Sequence, residues 1–411
     1  MWLVENRTSF RYQKVINTER VIIIKRYCQN ADFTNLAFIE MCCYEYLDEK
    51  WERNDVSNMF SAYMRIPVKF IKEMEKEELM PAIPKIAVDI KRRIDSGDLN
   101  LRPIKYFQKV DGMNGKVRTL GIEEPIHQIM NYVCVNAMKP MFDAKIGIFQ
   151  CASLPGRGQS YGKKRIESWR GDIRYFVKGD IQKCFPSIPI ARLKELLQRD
   201  IKNKKINRFA FSLLDMFKGG LSIGSYLSQY LCNYYLSYAY HYASEQLFKV
   251  RKSKRNGNKQ VRLVNHVLFY MDDFLLTGTS KKDLRKGMRM LIVYINQFLQ
   301  LTVKPDWKIS KFSDGEPIDM MGFVFRKSRT TIRAKIFIKT RRQFLRAQKR
   351  RKKRLPISVD HARRVVSAYG WYKHTNTYTV RAKLKVGYLV KECKRIIGRQ
   401  AREERLQHAI L

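Results

Sequence analysis

The chain has 411 residues, with 81 Lys and Arg against 38 Asp and Glu, a formal net charge of +43. A hydrophobic fraction of 45% and an aromatic fraction of 12% exclude a disordered basic tail, and so large a single-sign charge on a folded body calls for a polyanion, first of all nucleic acid. No apolar run approaches the roughly 18 residues of a membrane helix, the start carries no secretory pattern, and the eight scattered cysteines form no Cys-x-x-Cys pair. A cytoplasmic chain with reduced, buried thiols is expected, without a membrane partner, a disulfide scaffold or a zinc ribbon.

In chain order, residues 1–95 read as a helical region, with three-to-four spacing over Phe33–Tyr46 and Val68–Glu78. Pro81, Pro84 and the Asp95-Ser96-Gly97-Asp98 turn are expected to close it. Tyr106–Val110 and Lys116–Ile122 flank a Gly/Asn turn and read as a β-hairpin. Helices are expected over about 125–142 and Tyr161–Arg170, with the loop Leu154–Gly158 between them. Tyr175–Asp180 is a short apolar strand ending in an acid, and Ala191–Arg199 is helical. A Gly219-Gly220 turn leads into a helix over Gly224–Tyr242. Arg251–Asn258 reads as a basic loop. Val261–Tyr270 and Phe274–Thr277 read as strands meeting at Met271-Asp272-Asp273. Lys281–Gln300 is helical and Thr302–Ile309 extended. Asp319–Phe325 and Thr330–Ala334 form another hairpin, and the remainder is basic and mainly helical, broken at Pro356.

Tyr270-Met271-Asp272-Asp273 is the most informative tetrapeptide, because two acids at a β-turn between apolar strands share a hairpin tip. Alone it is an ordinary solvated turn. Asp180 ends another strand 92 positions earlier and is followed by Ile181-Gln182-Lys183-Cys184-Phe185-Pro186-Ser187. Carboxylates from two strand ends, brought together, suit two magnesium ions, which prefer oxygen ligands and keep room for water and phosphate. Two such ions can activate a 3′-hydroxyl and stabilise a leaving pyrophosphate.

Phe176–Ser187 and Tyr270–Asp273 resemble the first catalytic motif and the Tyr-x-Asp-Asp motif of reverse transcriptases. Further blocks follow in the family's order. Gly115-Lys116-Val117-Arg118 resembles the fingers hairpin, Gly156-Arg157-Gly158 the second block of bacterial retroelement enzymes, and Gly219–Gln229 the block before Tyr-x-Asp-Asp. Leu301–Lys304 with Trp307 resembles the following lysine block, and Met321-Gly322-Phe323 the primer-grip hairpin. The resemblance is to bacterial and phage retroelement enzymes of the group II intron-like lineage. It implies an α+β right-hand polymerase: a helical N-terminal extension over 1–95, fingers over 96–172, a palm with an antiparallel sheet and fingers insertions over 173–334, and a basic helical thumb over 335–411.

The same resemblance implies roles residue by residue. Asp180, Asp272 and the Ile181 carbonyl would hold two Mg²⁺ (Mn²⁺ as substitute), and Asp273 would complete the site. Lys304 would lie near the pyrophosphate. Lys116 and Arg118 would grip the incoming deoxynucleoside triphosphate. Phe185 would pack under its sugar and exclude a 2′-hydroxyl. Ile223, Gly224 and Gln229 would lie beside the nucleotide, and Arg157 on nucleic acid. Arg341–Arg354 holds nine Lys and Arg in fourteen residues. Within it Arg341, Arg342, Arg350, Arg351, Lys352, Lys353 and Arg354 would lie along the phosphates of an RNA–DNA duplex. Tyr369-Gly370-Trp371-Tyr372 and Tyr378 would either stack on bases or form the thumb's core. No RNase H or nuclease domain is expected.

Ile223-Gly224-Ser225-Tyr226-Leu227-Ser228-Gln229 departs from the commonest form of its block, with Ile for Gln and Gln for Pro. It resembles the enzymes of diversity-generating retroelements, which copy a dedicated template RNA with errors at adenines and work with a small basic helical accessory protein. Losing the Gln removes a polar contact and so weakens discrimination. Antiviral defence reverse transcriptases using a noncoding RNA are a second reading. A non-catalytic maturase that only binds intron RNA is a third, which the intact acids oppose.

Overall fold

The computed structural model describes residues 25–410 except 49, 111–114, 116 and 254–256. Lys116 and the turn of the first hairpin therefore lie outside the described residues. The α+β class expected from the sequence is what is found.

The helix Leu36–Leu47 starts at Asn35, whose side chain accepts from the Ala37 N–H. It buries Ile39, Cys42, Cys43, Tyr46 and Leu47 against the helices Ile83–Ser96 and Pro125–Lys145. Two expectations fail here. Val68–Glu78 is not one helix but two four-residue turns, Val68–Ile71 and Lys76–Leu79. A capping box between Glu75 and Glu78 starts the second turn afresh. Pro81 and Pro84 also do not close the region. Pro84 sits in the first turn of Ile83–Ser96, where its missing N–H leaves no helical bond unmade. That helix ends at Gly97, with φ of 79°.

The expected hairpin is β1 (Lys105–Val110) paired antiparallel with β2 (Val117–Ile122). The central sheet has the order β3 (Gln150–Cys151), β7 (His266–Tyr270), β8 (Asp273–Gly278), β4 (Tyr175–Asp180), β9 (Ile309–Lys311). It is antiparallel except for the β3–β7 pair, which is parallel. Side chains alternate between its faces. Val267, Phe269, Phe274, Leu276 and Val177 join the main core, which runs from Cys28 to Val303. Leu268, Leu275 and Phe176 join a second cluster with Ile166, Trp169, Met320 and Phe323. Burial of both faces explains why these strands read as unbroken apolar runs.

Three more sequence expectations are corrected. Arg251–Asn258 is not a loop: β5 (Phe248–Ser253) pairs with β6 (Gly257–Arg262) as a basic hairpin. Val261–Tyr270 is accordingly split between β6 and β7. Asp319–Phe325 is not one strand but β10 (Ile318–Met320) and β11 (Phe323–Phe325), followed by β12 (Thr330–Ile332). Met321 and Gly322 turn the chain with φ of 56° and 81°.

The helices Ala334–Lys352, Val359–Lys373 and Val386–Ile410 form their own core around Phe344, Val365, Tyr372, Leu389 and Cys393. Tyr372 belongs to that core, Trp371 packs on Phe323 with ring centroids 5.1 Å apart, and Tyr378 is exposed. All eight cysteines are buried and free. Burial pushes thiols such as Cys42 up to about 11, which suits inert core residues. No helix among the described residues is long and apolar enough to cross a membrane.

Candidate active site

Register brings the acids together. Asp180 at the end of β4 is the direct cross-strand partner of Asp273 at the start of β8, and Asp273 also faces Tyr270 across the β7–β8 pair. Met271 and Asp272 are left as a two-residue turn. Met271 takes φ of 52°, a conformation ordinarily filled by Gly or Asn that costs another residue about 1 kcal/mol. The strain is held from behind. The buried Asn233 donates to the Ala152 carbonyl at 3.2 Å and to Met271 Sδ at 3.5 Å, and the Gln150 side chain donates to the Asn233 carbonyl at 2.8 Å. The Ile181 N–H donates to the Asp272 carbonyl at 3.0 Å. Gly179 is needed for the β4–β8 pairing itself: a Cβ there would lie 2.1 Å from the Phe274 ring. Only glycine lets that ring cross β4 one residue before Asp180.

The site's electrostatics follow from crowding three acids in a half-buried corner. Burial, then the neighbouring Asp180, raises Asp272 above its ordinary range. Burial raises Asp273 to about 6; Lys178 opposes this, and Asp272 and Asp180 add to it. Lys304 is the cation in direct contact with Asp180. Its ammonium contacts Asp180 Oδ1, its backbone N–H donates to the Asp180 carbonyl at 2.9 Å, and the contact with Asp180 raises the lysine further. Arg118 is exposed on β2 and pulls Asp272 back toward ionisation.

Phe185 and the strand that carries Arg118 both meet the segment 218–225, which holds Ile223 and Gly224. The Leu221 N–H donates to the Phe185 carbonyl at 2.8 Å, and the Gly121 N–H of β2 donates to the Ile223 carbonyl at 2.9 Å. A Cβ on Gly121 would lie 2.3 Å from Ser222 Oγ, so glycine is what allows β2 to dock there. Phe185 and Ile223 are half-buried and Gly224 is exposed. Gln229 lies one turn into the helix Tyr226–His241, where its carbonyl accepts from Asn233 at 3.0 Å.

The other expected residues make their contacts outside the group of acids. The Arg157 guanidinium donates to the Gly147 carbonyl at 3.0 Å, and the Arg157 carbonyl accepts from the Ala152 N–H, so its contacts tie down its own loop. Arg341, Arg342, Arg350, Lys352, Lys353 and Arg354 are exposed. Arg350 donates to the Pro356 carbonyl at 2.7 Å. Arg351 lies over the Tyr388 ring at 3.9 Å and pairs with Glu392 at 3.6 Å, which packs the first and last of these helices together.

Sequence reasoning missed Asn233, which bonds to the strained turn, Gly179, which admits the Phe274 ring beside Asp180, and a buried group behind β2. There Glu123 accepts from Asn131 at 2.7 Å and lies 3.9 Å from His127, with Ser225 alongside. Burial raises Glu123 to about 7 and lowers His127 to about 4. An acid just before a helix, with a histidine four residues on in that helix's first turn, was the available signal.

A sequence profile of the family described as reverse transcriptase (RNA-dependent DNA polymerase) matches residues 107–325, the span holding every residue of this centre. The chain belongs to the reverse transcriptase family. Its α+β architecture is that of the right-hand polymerases. A search of curated proteins gives no match. Among solved structures, the chain is similar to apo telomerase from Candida tropicalis truncated from its C-terminal domain, at 14% identity and a TM-score of 0.37, over 56% of this chain and 53% of that one. It thus spans about half the length of that telomerase chain.

Reverse transcriptase domains use divalent metals, and the donor set can be weighed for one. Among the described residues, no group of three or more His, Cys, Asp or Glu side chains is gathered as a ready metal site. The chemistry nevertheless fits: Asp180, Asp272 and Asp273 offer hard carboxylate oxygens, and two of them are raised by burial and mutual repulsion, which a cation relieves.

Proposed function

We propose that the chain is an RNA-directed DNA polymerase that makes cDNA from a dedicated template RNA. The observation that carries this is the register of β4 against β8, which sets Asp180 opposite Asp273 with Asp272 in the adjoining turn. In this reading Asp180, Asp272 and the Ile181 carbonyl hold two Mg²⁺, or Mn²⁺ in its place, and Asp273 completes the site. Magnesium bound there supplies activation of a primer 3′-hydroxyl and charge compensation at the leaving pyrophosphate. Lys304 holds Asp180 in place before substrate arrives and stands ready as a proton donor on the pyrophosphate side. Arg118, with Lys116, neutralises the triphosphate. Phe185 closes the sugar site against a 2′-hydroxyl, which makes DNA the product. Residues 96–172 act as fingers, 173–334 as palm and 335–411 as thumb, with Arg157 and the basic residues of 341–354 on the nucleic acid.

The finer reading is a bacterial or phage retroelement enzyme of the diversity-generating kind, working with a small basic helical accessory protein. It is supported by Ile223, which puts an apolar side chain where a polar contact would fix the nucleotide. The defence reading shares every residue of the centre and differs in its RNA. The maturase reading is disfavoured by the intact acids. The test is extension of a DNA primer on an RNA template by the purified chain with deoxynucleotides and Mg²⁺. Extension that stops on chelation supports the polymerase, and its absence on every primed template removes it. Errors concentrated at template adenines support the diversifying enzyme; uniformly low errors favour defence.

A further inference from the structure

The β5–β6 hairpin has no part in the centre described above. Residues 248–262 carry seven Lys and Arg and no acid, and the helix Lys281–Leu299 carries Lys281, Lys282, Arg285, Lys286 and Arg289 in its first half. The two elements form one surface. Leu247 and Leu263 join at the hairpin's base through the Leu263 N–H and the Leu247 carbonyl, 2.9 Å apart. Both pack against Gly287 of the helix, where an added Cβ would lie 3.4 Å from Leu263 and 3.5 Å from Leu247. Lys249 bonds both oxygens of Asp283 at 2.6 Å.

Asp283 is the one acid of these two elements, and it is taken up in pinning them together. Alternation along the hairpin puts Arg251 and its partner Lys259 on the same face as Lys249, toward the start of the helix. Arg251, Lys252, Lys259, Arg262, Lys281, Lys282, Arg285, Lys286 and Arg289 are all exposed. Basic residues in the first turns of a helix oppose its dipole and cost stability, so this charge is held against local preference.

The surface lies away from the acids. Asn265, just past the hairpin, donates to the Thr277 carbonyl, at the end of β7–β8 opposite Asp272. The five residues of β7 separate the two sites by roughly 15 Å at about 3.3 Å per residue.

We infer that the β5–β6 hairpin and the start of the helix Lys281–Leu299 form a second RNA-binding surface, at the sheet end remote from the acids, which holds a base-paired stem of the RNA outside the segment being copied. Charge complementarity selects a polyanion. The lack of an exposed aromatic side chain on the described part of the hairpin selects phosphate contacts along a duplex over base stacking on a single strand. The inference rests on the proposed polymerase only for the choice of RNA.

The experiment compares the full chain with a variant carrying Arg251→Gln, Lys259→Gln, Arg262→Gln, Lys281→Gln, Lys282→Gln and Arg285→Gln, leaving Lys249 and Asp283 intact. One probe is a blunt RNA hairpin of about 20 base pairs, a span suited to duplex-binding surfaces. The other readout is kcat/KM for extending a short primer on a short RNA template. The variant should bind the hairpin at least tenfold more weakly, with its log–log salt slope smaller by about one for each phosphate no longer neutralised. Its extension of the short primer should stay within twofold. Unchanged hairpin affinity overturns the inference, as does an equal loss in both readouts, or a loss of binding to poly-glutamate in place of RNA. Failure of the unsubstituted chain to extend any primer counts against the polymerase reading alone, since hairpin binding is read separately.

Discussion

Two groups of carboxyl side chains are held above the ordinary carboxylate range, and they reach that state differently. Asp272 and Asp273 are raised by burial and by each other and Asp180, with Lys304 and Arg118 facing them from separate elements. Glu123 is raised by burial, eased only by Ser225 and Asn131, with His127 lowered beside it. Burial alone thus produces a shifted acid with no chemistry attached. Another acid, Asp200, is just as hidden from solvent yet lowered, because Tyr238, Lys145 and Arg199 outweigh its desolvation. What distinguishes the catalytic candidates is convergence of like charges from different strands at an accessible edge.

The largest expected effect breaks the first group. Asp272→Asn keeps the shape of the turn and removes one charge. It should lower primer extension about a thousandfold, about 4 kcal/mol, while RNA affinity changes less than twofold. Extension near the unsubstituted rate would dissolve the distinction between the two groups.

The second tests Glu123 by stability. Its folded-state value, about 7 against an ordinary 4.5, means the folded state binds more protons than the unfolded state between these values. Stability therefore falls as pH rises through that window, by about 3 kcal/mol at 1.36 kcal/mol per unit. Glu123→Gln lacks this loss. The facing groups, His127, Ser225 and Asn131, with Tyr46 nearby, are common to both proteins. Thermal unfolding at pH 5 and pH 8 should show the variant gaining on the parent as pH rises, with nucleotide addition retained. A pH-independent difference would mean that Glu123 is not held protonated.

Phe185 lies five residues beyond Asp180 and borders the open group. Phe185→Ala should raise ribonucleotide use relative to deoxynucleotide use at least tenfold, about 1.4 kcal/mol. An unchanged ratio would leave the ring as packing for the segment 218–225, whose Leu221 N–H its carbonyl receives.

The smallest effect is expected at the seam between the groups, where Ile223 receives the Gly121 N–H two residues from both Glu123 and Ser225. Ile223→Gln should lower errors at template adenines about fivefold, about 1 kcal/mol, when copies of a defined RNA are sequenced. An unaltered error spectrum would detach Ile223 from fidelity.

Much of this was legible in the residues. The apolar runs ending at Asp180 and flanking Met271-Asp272-Asp273 determined the strands and the acids at their ends, because a short unbroken apolar run and a two-residue turn are local properties. The hairpin β1–β2, the long helices and the reverse transcriptase family were readable for the same reason: each is a run of local preferences in a fixed order. Other features were decided only in three dimensions. The pairing of Asp180 with Asp273 depends on the register of strands more than 90 residues apart in the chain. The support of Met271 comes from Asn233 on a helix, and Glu123 is raised only because the tertiary packing buries it. The basic stretch after Phe248 had the polarity of a loop, and it became β5–β6 because Leu247 and Leu263 anchor its two ends on the helix Lys281–Leu299. Sequence sets what each segment prefers. Long-range packing sets which charges meet and which are kept from water, and it is that exclusion that moves a proton's affinity.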